Sequence, residues 1–265
     1  MHIVVSKKNL QTVLWASAIL IMSVLSLVYM SSAVRGLSVA VANVSGKLMP
    51  IYGVETAEKK IALTFNAAWG DSDLAQIIET LGKHKAMATF FVTGEWAENH
   101  PDGMRMILEA GHDIGSHSDK HPHVAKISRE SLIEDTVNAN RKIKEITGRD
   151  VEYYRAPYGE YNNTVVDTLQ NQLGLTMIQW DADSRDWQDS ITVDKITRYI
   201  LNNINGGSIP LFHIDAKPKC TPPALEIILA ELSKQQYSFV LLDQLLLDKN
   251  SSQIDIRGIQ REIEN

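Results

Sequence analysis

The sequence predicts an α/β fold: a distorted (β/α) barrel of about seven units, preceded by an N-terminal transmembrane helix. Three observations carry that reading. Short apolar runs alternate with stretches of 3.6-residue period through residues 58–247, the pattern of parallel strands joined by crossover helices. Seven such runs favour a closed or nearly closed barrel over an open doubly wound sheet. Ahead of them, residues 9–34 carry no formal charge and contain the apolar run Val13–Met30, near the ~20 residues that cross a bilayer core.

The elements follow in chain order. Residues 1–35 read as a membrane anchor or signal segment. Lys7 and Lys8 precede the apolar run and hold the N-terminus in the cytoplasm. The alternative is a signal segment cleaved at the small residues Ser31–Ala33. Both readings export the remainder, and the first gives a single-pass protein of the bacterial cell membrane with its main domain outside the cytoplasm. Residues 36–57 lack helical period and read as a linker that docks in part as an extended segment. "KIALTF", "MATFFVT", "HDIGSHS", "VEYYRAP", "TMIQWDAD", "SIPLFHI" and "SFVLL" read as strands. Between them lie amphipathic helices, one opened by Ser128 and closed by Gly148, another opened by Thr192. Residues 248–265 read as a loose polar tail.

Composition narrows the function classes. The net charge of −6 and the lack of a basic run argue against nucleic-acid binding. A single cysteine, Cys220, allows no internal disulfide and reads as a small packed residue. Oligomeric state is not legible.

Five stretches carry polar residues just past predicted strands, where a barrel gathers its functional groups. "TFNAAWGD" runs from Thr64 to Asp71. "SHSDKH" places His117 and His121 four apart, a spacing that lets two imidazoles share a metal ion. "RAPYG" offers Arg155, a planar fork suited to a carboxylate, and Tyr158, whose backbone N–H can face a ligand. "WDADSRDW" holds Asp181, Asp183 and Asp186 between two tryptophans that suggest a sugar-stacking wall. "PLFHI" ends a strand on His213. Each alone has a plainer reading, such as a turn cap, a core histidine or a loop residue like His123; their conjunction is specific.

Together the five stretches resemble, in order and over residues 58–247, the polysaccharide deacetylases with a NodB homology domain, carbohydrate esterase family 4. The entry segment and the anchor look most like the sporulation-associated PdaB-like subgroup. The resemblance implies a metal-dependent hydrolase that removes acetyl groups from N-acetylglucosamine or N-acetylmuramic acid in cell-wall glycan. It implies zinc or cobalt on His117 and His121. It implies that Arg155 orients the general base, that Asp186, next to Trp187, tunes His213, and that His213 protonates the leaving amine. Trp69, Tyr158 and Trp187 are the expected substrate-binding residues.

The first stretch departs from the family, which reads Thr-Phe-Asp-Asp there. Asn66 stands at the base position and Ala67 at a metal-ligand position. An amide accepts no proton at neutral pH. Asp71, five residues after Asn66, is the expected substitute ligand. Two functions therefore stand open from sequence: a deacetylase, or a catalytically impaired, membrane-tethered glycan-binding or spore-assembly protein.

Overall fold

The computed structural model describes residues 46–217 and 219–263. The expected span Val13–Met30 lies outside them, and no helix among the described residues is long and apolar enough to cross a membrane. The strands are Gly53–Val54 (β1), Lys60–Ile61 (β2), Leu63–Ala67 (β3), Ala88–Val92 (β4), Asp113–Ser116 (β5), Tyr153–Tyr154 (β6), Thr176–Met177 (β7), Ala182–Asp183 (β8), Pro210–His213 (β9), Ser238–Phe239 (β10), Ser252–Ile254 (β11) and Ile259–Glu262 (β12).

Strands β3 and β4 are buried along their whole length. They are near-continuous apolar runs, as parallel strands covered on both faces must be. Phe65 on β3 stacks between Phe90 (4.9 Å) and Phe212 (5.4 Å), which sets the centre of the core. Helix boundaries follow local chemistry. Ser128 Oγ accepts from the Ser131 N–H to start the helix Arg129–Thr147, and Gly148 ends it at φ +70°. Thr192 caps the helix Val193–Leu201 in the same way.

The main sheet has seven parallel strands in the order β7-β6-β5-β4-β3-β9-β8. Its two edge strands, β7 and β8, are consecutive in the chain, with only residues 178–181 between them. A flat sheet of this width would hold its edges ~29 Å apart. The connection reaches ~18 Å at most. The sheet must therefore curl toward closure, and "TMIQWDAD", expected as one strand, splits into the two edges of the curl. The extended segment 51–54 lies between the edges: the Ile51 N–H donates to the Met177 carbonyl (2.9 Å) on the β7 side, and the Val54 N–H donates to the Gly207 carbonyl (2.9 Å) ahead of β9.

The "SFVLL" run contributes β10, which pairs with β2 outside the seven-stranded sheet. The linker docks in part as an extended segment, as expected, whereas the tail reading needs correction. Within the expected linker, β1 pairs parallel with β12 from the expected loose tail, and β11 flanks β12 antiparallel. Hydropathy gives no sign of this because polar groups hold it. The Gln260 amide spans Leu247 and Ser252, donating to the Leu247 carbonyl (2.8 Å) and to Ser252 Oγ (2.9 Å) while accepting from the Leu247 N–H (3.0 Å). Gly207 passes against β1 at φ +84°, where any Cβ would lie 1.8 Å from the Val54 carbonyl oxygen.

His112, just before β5, is 4% exposed; among the described residues neither ring nitrogen has a hydrogen-bond partner, and the ring lies 5.6 Å from that of Phe90. Burial pushes its pKa down to about 4. Above the unfolded value of ~6.5 both states are neutral. Below it, the unfolded chain takes a proton that the folded chain refuses, so stability falls as pH drops from ~6.5 toward 4. The contribution is about 3 kcal/mol at the lower end. Urea unfolding at pH 7 and pH 4 should show wild type losing more stability than His112→Leu by about that amount. Equal losses in the two proteins would remove His112 as the cause.

Candidate active site

The carboxyl ends of β3, β5, β6, β8 and β9 meet at one pole of the barrel around a cavity of about 550 Å³. Asn66, His117, His121, Trp180, Asp183, Leu211 and His213 line it. Trp69, Tyr158 and Trp187, 55%, 58% and 52% exposed, form an aromatic rim. Large aromatics left half in water at a cavity mouth suit a ligand with an apolar face.

His213 ends β9 directly beside Asn66 in the parallel register. Its Nδ1 lies 2.7 Å from Asp186 Oδ1, and its backbone N–H donates to Oδ2 at 2.8 Å. The Thr221 hydroxyl also donates to Oδ2, at 2.9 Å. Asp186 is fully buried, so these donors replace its lost water. A carboxylate can only accept, so Nδ1 carries a proton and the ring is aimed by that bond.

Arg155 follows β6 and is fully buried. Its Nε donates to the Ile178 carbonyl (3.3 Å), Nη2 to the Gln179 carbonyl (2.9 Å) and Nη1 to Asn66 Oδ1 (3.2 Å). The guanidinium lies over the Phe91 ring, 4.1 Å from its centroid. Burial pushes its pKa down to about 9, against a smaller opposing pull from Asp183. Its acceptors are all neutral. Asn66 satisfies the geometry of the fork without its charge.

His117 is buried, and its Nδ1 lies 2.8 Å from the Arg155 carbonyl, which again fixes the proton on Nδ1. His121, at φ +57°, is held by its own N–H donating to Ser118 Oγ, and its ring sits edge-on to His117 with centroids 4.9 Å apart. Burial lowers the pKa of both rings, His117 the more strongly. Both are therefore neutral donors of a lone pair, as metal ligands must be. The third ligand is missing. Ala67 offers a methyl group, and the Asp71 carboxylate lies 3.2 Å from His100 Nδ1 instead of at the histidine pair. Among the described residues no three His, Cys, Asp or Glu side chains could hold a metal ion. A catalytic zinc or cobalt site takes three protein ligands, and the donor set here does not fit one.

The expected ligand Asp71 is thus corrected, and the cause is local. The Trp96 indole donates to the Gly70 carbonyl (3.0 Å), and Asp215 packs on the Gly70 Cα, so the turn after Trp69 points away from the histidines. The other expected residues line the cavity or lie directly behind it. Trp69 sits 5.9 Å from His213 and 6.3 Å from His121, ring to ring. Tyr158, at φ +58°, packs edge-on to His121 and stacks on His123 (4.2 Å), whose ring is held by Glu160. Leu211 and Thr221 were not anticipated. An apolar strand residue and a helix-start threonine carry no sequence signal for a site.

A sequence model for polysaccharide deacetylase matches residues 53–178. The peptidoglycan-N-acetylglucosamine deacetylase PgdA of Listeria monocytogenes is 34% identical over 191 residues, 72% of this chain; the match covers only 40% of that relative's length. The peptidoglycan-N-acetylglucosamine deacetylase of Bacillus cereus is 32% identical over 199 residues, 74% of this chain and 92% of the relative. Among solved structures, a CE4 family pseudoenzyme from Bacillus anthracis aligns with TM-score 0.69 and 30% identity, over 74% of this chain and 68% of that one. A mutant of that protein, described as having restored enzymatic activity, aligns with the same TM-score.

Returning a carboxylate to the Arg155 fork should stabilise the fold. Asn66→Asp is expected to gain about 1 kcal/mol, the difference between a bond with one charged partner and one with two, and to raise the melting midpoint by a few degrees. Asn66→Leu should lower it. Thermal unfolding followed by circular dichroism checks both, and a lower midpoint for Asn66→Asp would refute the account of an uncompensated charge.

Proposed function

The chain belongs to the polysaccharide deacetylase family, and from that premise we propose that it is a cell-wall-glycan-binding member whose hydrolytic machinery is incomplete. One observation carries this reading: at the base position, Asn66 gives its side-chain oxygen to Arg155, and the next residue, Ala67, has no ligand to offer.

The chemistry follows residue by residue. Trp69, Tyr158 and Trp187 present flat apolar faces to sugar rings at the cavity mouth. Trp180 and Leu211 form an apolar wall against which an acetyl methyl is buried. His213, oriented by Asp186, offers Nε2 to a sugar hydroxyl or amide. Activating water needs a proton acceptor, and an amide oxygen is not one. A positioned base contributes roughly 10²–10⁴ in rate. When a metal is bound in this family it polarises the carbonyl under attack; here two imidazoles alone would hold it weakly. The glycan is acetylated peptidoglycan, since the named relatives are peptidoglycan deacetylases. The apolar segment Val13–Met30 tethers the domain to the outer face of the membrane, in reach of the wall. A sporulation role rests on the resemblance of the entry segment to PdaB-like proteins.

A second reading has one observation in its favour. The His213–Asp186 pair, the acid half of the reaction, is intact at 2.7 Å, and deacetylation at the rate of a complete site would use it.

The test uses the full chain in detergent micelles with N-acetylglucosamine oligomers. Saturable binding is expected, unchanged by chelator and weakened about tenfold by Trp187→Ala, the order of burying an aromatic face. Acetate release with added zinc or cobalt should be at least about 10²-fold slower than for a variant combining Asn66→Asp with Ala67→Asp. Metal-dependent release by wild type at the variant's rate would establish the second reading and overturn the first.

A further inference from the structure

A second hollow lies at the opposite pole of the barrel. Strand β5 runs from Asp113 there to Ser116, the neighbour of His117, about 13 Å away at the extended rise per residue. The hollow has a volume of about 450 Å³. Its walls are apolar, from Ile114, Ile143, Val151 and Leu241, and its rim carries the carboxylates of Asp113, Glu152 and Asp243. Asp150 also borders it but is engaged by Lys144 at 2.6 Å. The one cation on the lining is Arg149, which approaches Asp113 only to 3.9 Å.

The three carboxylates act on common ground. Burial, and then Asp243 and Glu152, raise the pKa of Asp113, against the pull of a backbone N–H and of Arg149. Independently of them, Tyr153 is 7% exposed and lines the hollow, and its hydroxyl has no hydrogen-bond partner among the described residues. The ring is buried while the hydroxyl makes no bond to the protein, and its oxygen accepts readily from a cationic N–H.

We propose that this hollow binds a primary ammonium group carried on an aliphatic stem, the chemistry of a lysine-like side chain. The apolar walls bury the methylenes. Glu152 and Asp243 receive the ammonium, and the Tyr153 oxygen accepts its third proton. A compact ammonium has three donors to share among three acceptors. A divalent metal ion fits less well, because no three carboxylate or imidazole groups among the described residues converge closely enough to hold one. The proposal is independent of what the histidine-lined cavity binds.

The probe is Nα-acetyl-lysine methylamide, titrated into the full chain in detergent micelles and followed by saturation-transfer NMR. Saturable binding is expected, weakened about tenfold or more by Glu152→Gln with Asp243→Asn, the loss expected for charge-assisted hydrogen bonds. Tyr153→Phe should weaken it by a smaller factor, so the proposal stays testable if the double variant fails to fold. The Nε-acetylated probe, with the same stem and no charge, should not bind. Equal binding of the two probes, no saturable signal, or displacement of the amine by calcium chloride would each overturn the proposal. Binding of N-acetylglucosamine oligomers at the other pole should be unchanged in both variants.

Discussion

One buried guanidinium organises the upper half of this barrel. Arg155 has no water to solvate it, so it must take its acceptors from the protein. It takes them from the strands that the curl brings together: Asn66 at the end of β3, and the Ile178 and Gln179 carbonyls where the chain crosses from one sheet edge to the other. Its own carbonyl sets the tautomer and aim of His117. Fold closure and site geometry thus share a single residue. That sharing explains how the arrangement persists after the acidic partner is gone, since an amide and two peptide carbonyls still satisfy the fork.

What the sequence disclosed divides along the same line. The strand-end polar residues were legible because each is a costly residue type to place after an apolar run. His117, Arg155, Asp186 and His213 each stand where a barrel would expose them to one another. The turn after Trp69 was not legible. Its direction depends on the Trp96 indole and on Asp215, distant in sequence from Gly70. Spacing alone made Asp71 look able to return to the histidines, but it cannot specify which way a turn faces. The edge strands were misread for a related reason. "TMIQWDAD" has one hydropathy pattern and two pairing partners, and only the global curl distinguishes them. The polar tail gave no signal because its strand is anchored by Gln260 rather than by apolar burial.

Asn66 and Ala67 remove a proton acceptor and a metal donor while leaving the shape of the cavity intact. Both residues are buried on β3, flanked by β4 and β9, where side-chain volume is tightly set. Asparagine is close in shape to aspartate, and alanine leaves the strand unstrained. The aromatic rim, the Leu211 wall and the His213–Asp186 pair are untouched by either change. In the proposed reading, binding and hydrolysis draw on different atoms of one cavity, so the first can persist without the second.

The pairing of β1 with β12 bears on how the protein comes into being. These strands lie at the two ends of the described domain, more than 200 residues apart in sequence, yet they are hydrogen-bonded neighbours. A chain delivered N-terminus first, whether from a ribosome or through a membrane pore, presents β1 early and β12 last. One edge of the first strand stays unpaired until β12 follows, more than 200 residues later. Contacts of such sequence separation form slowly, and an open strand edge invites wrong partners meanwhile. Biogenesis of this domain is therefore gated by residues 252–262, and a chain interrupted just short of them would carry most of the core and still lack its clasp.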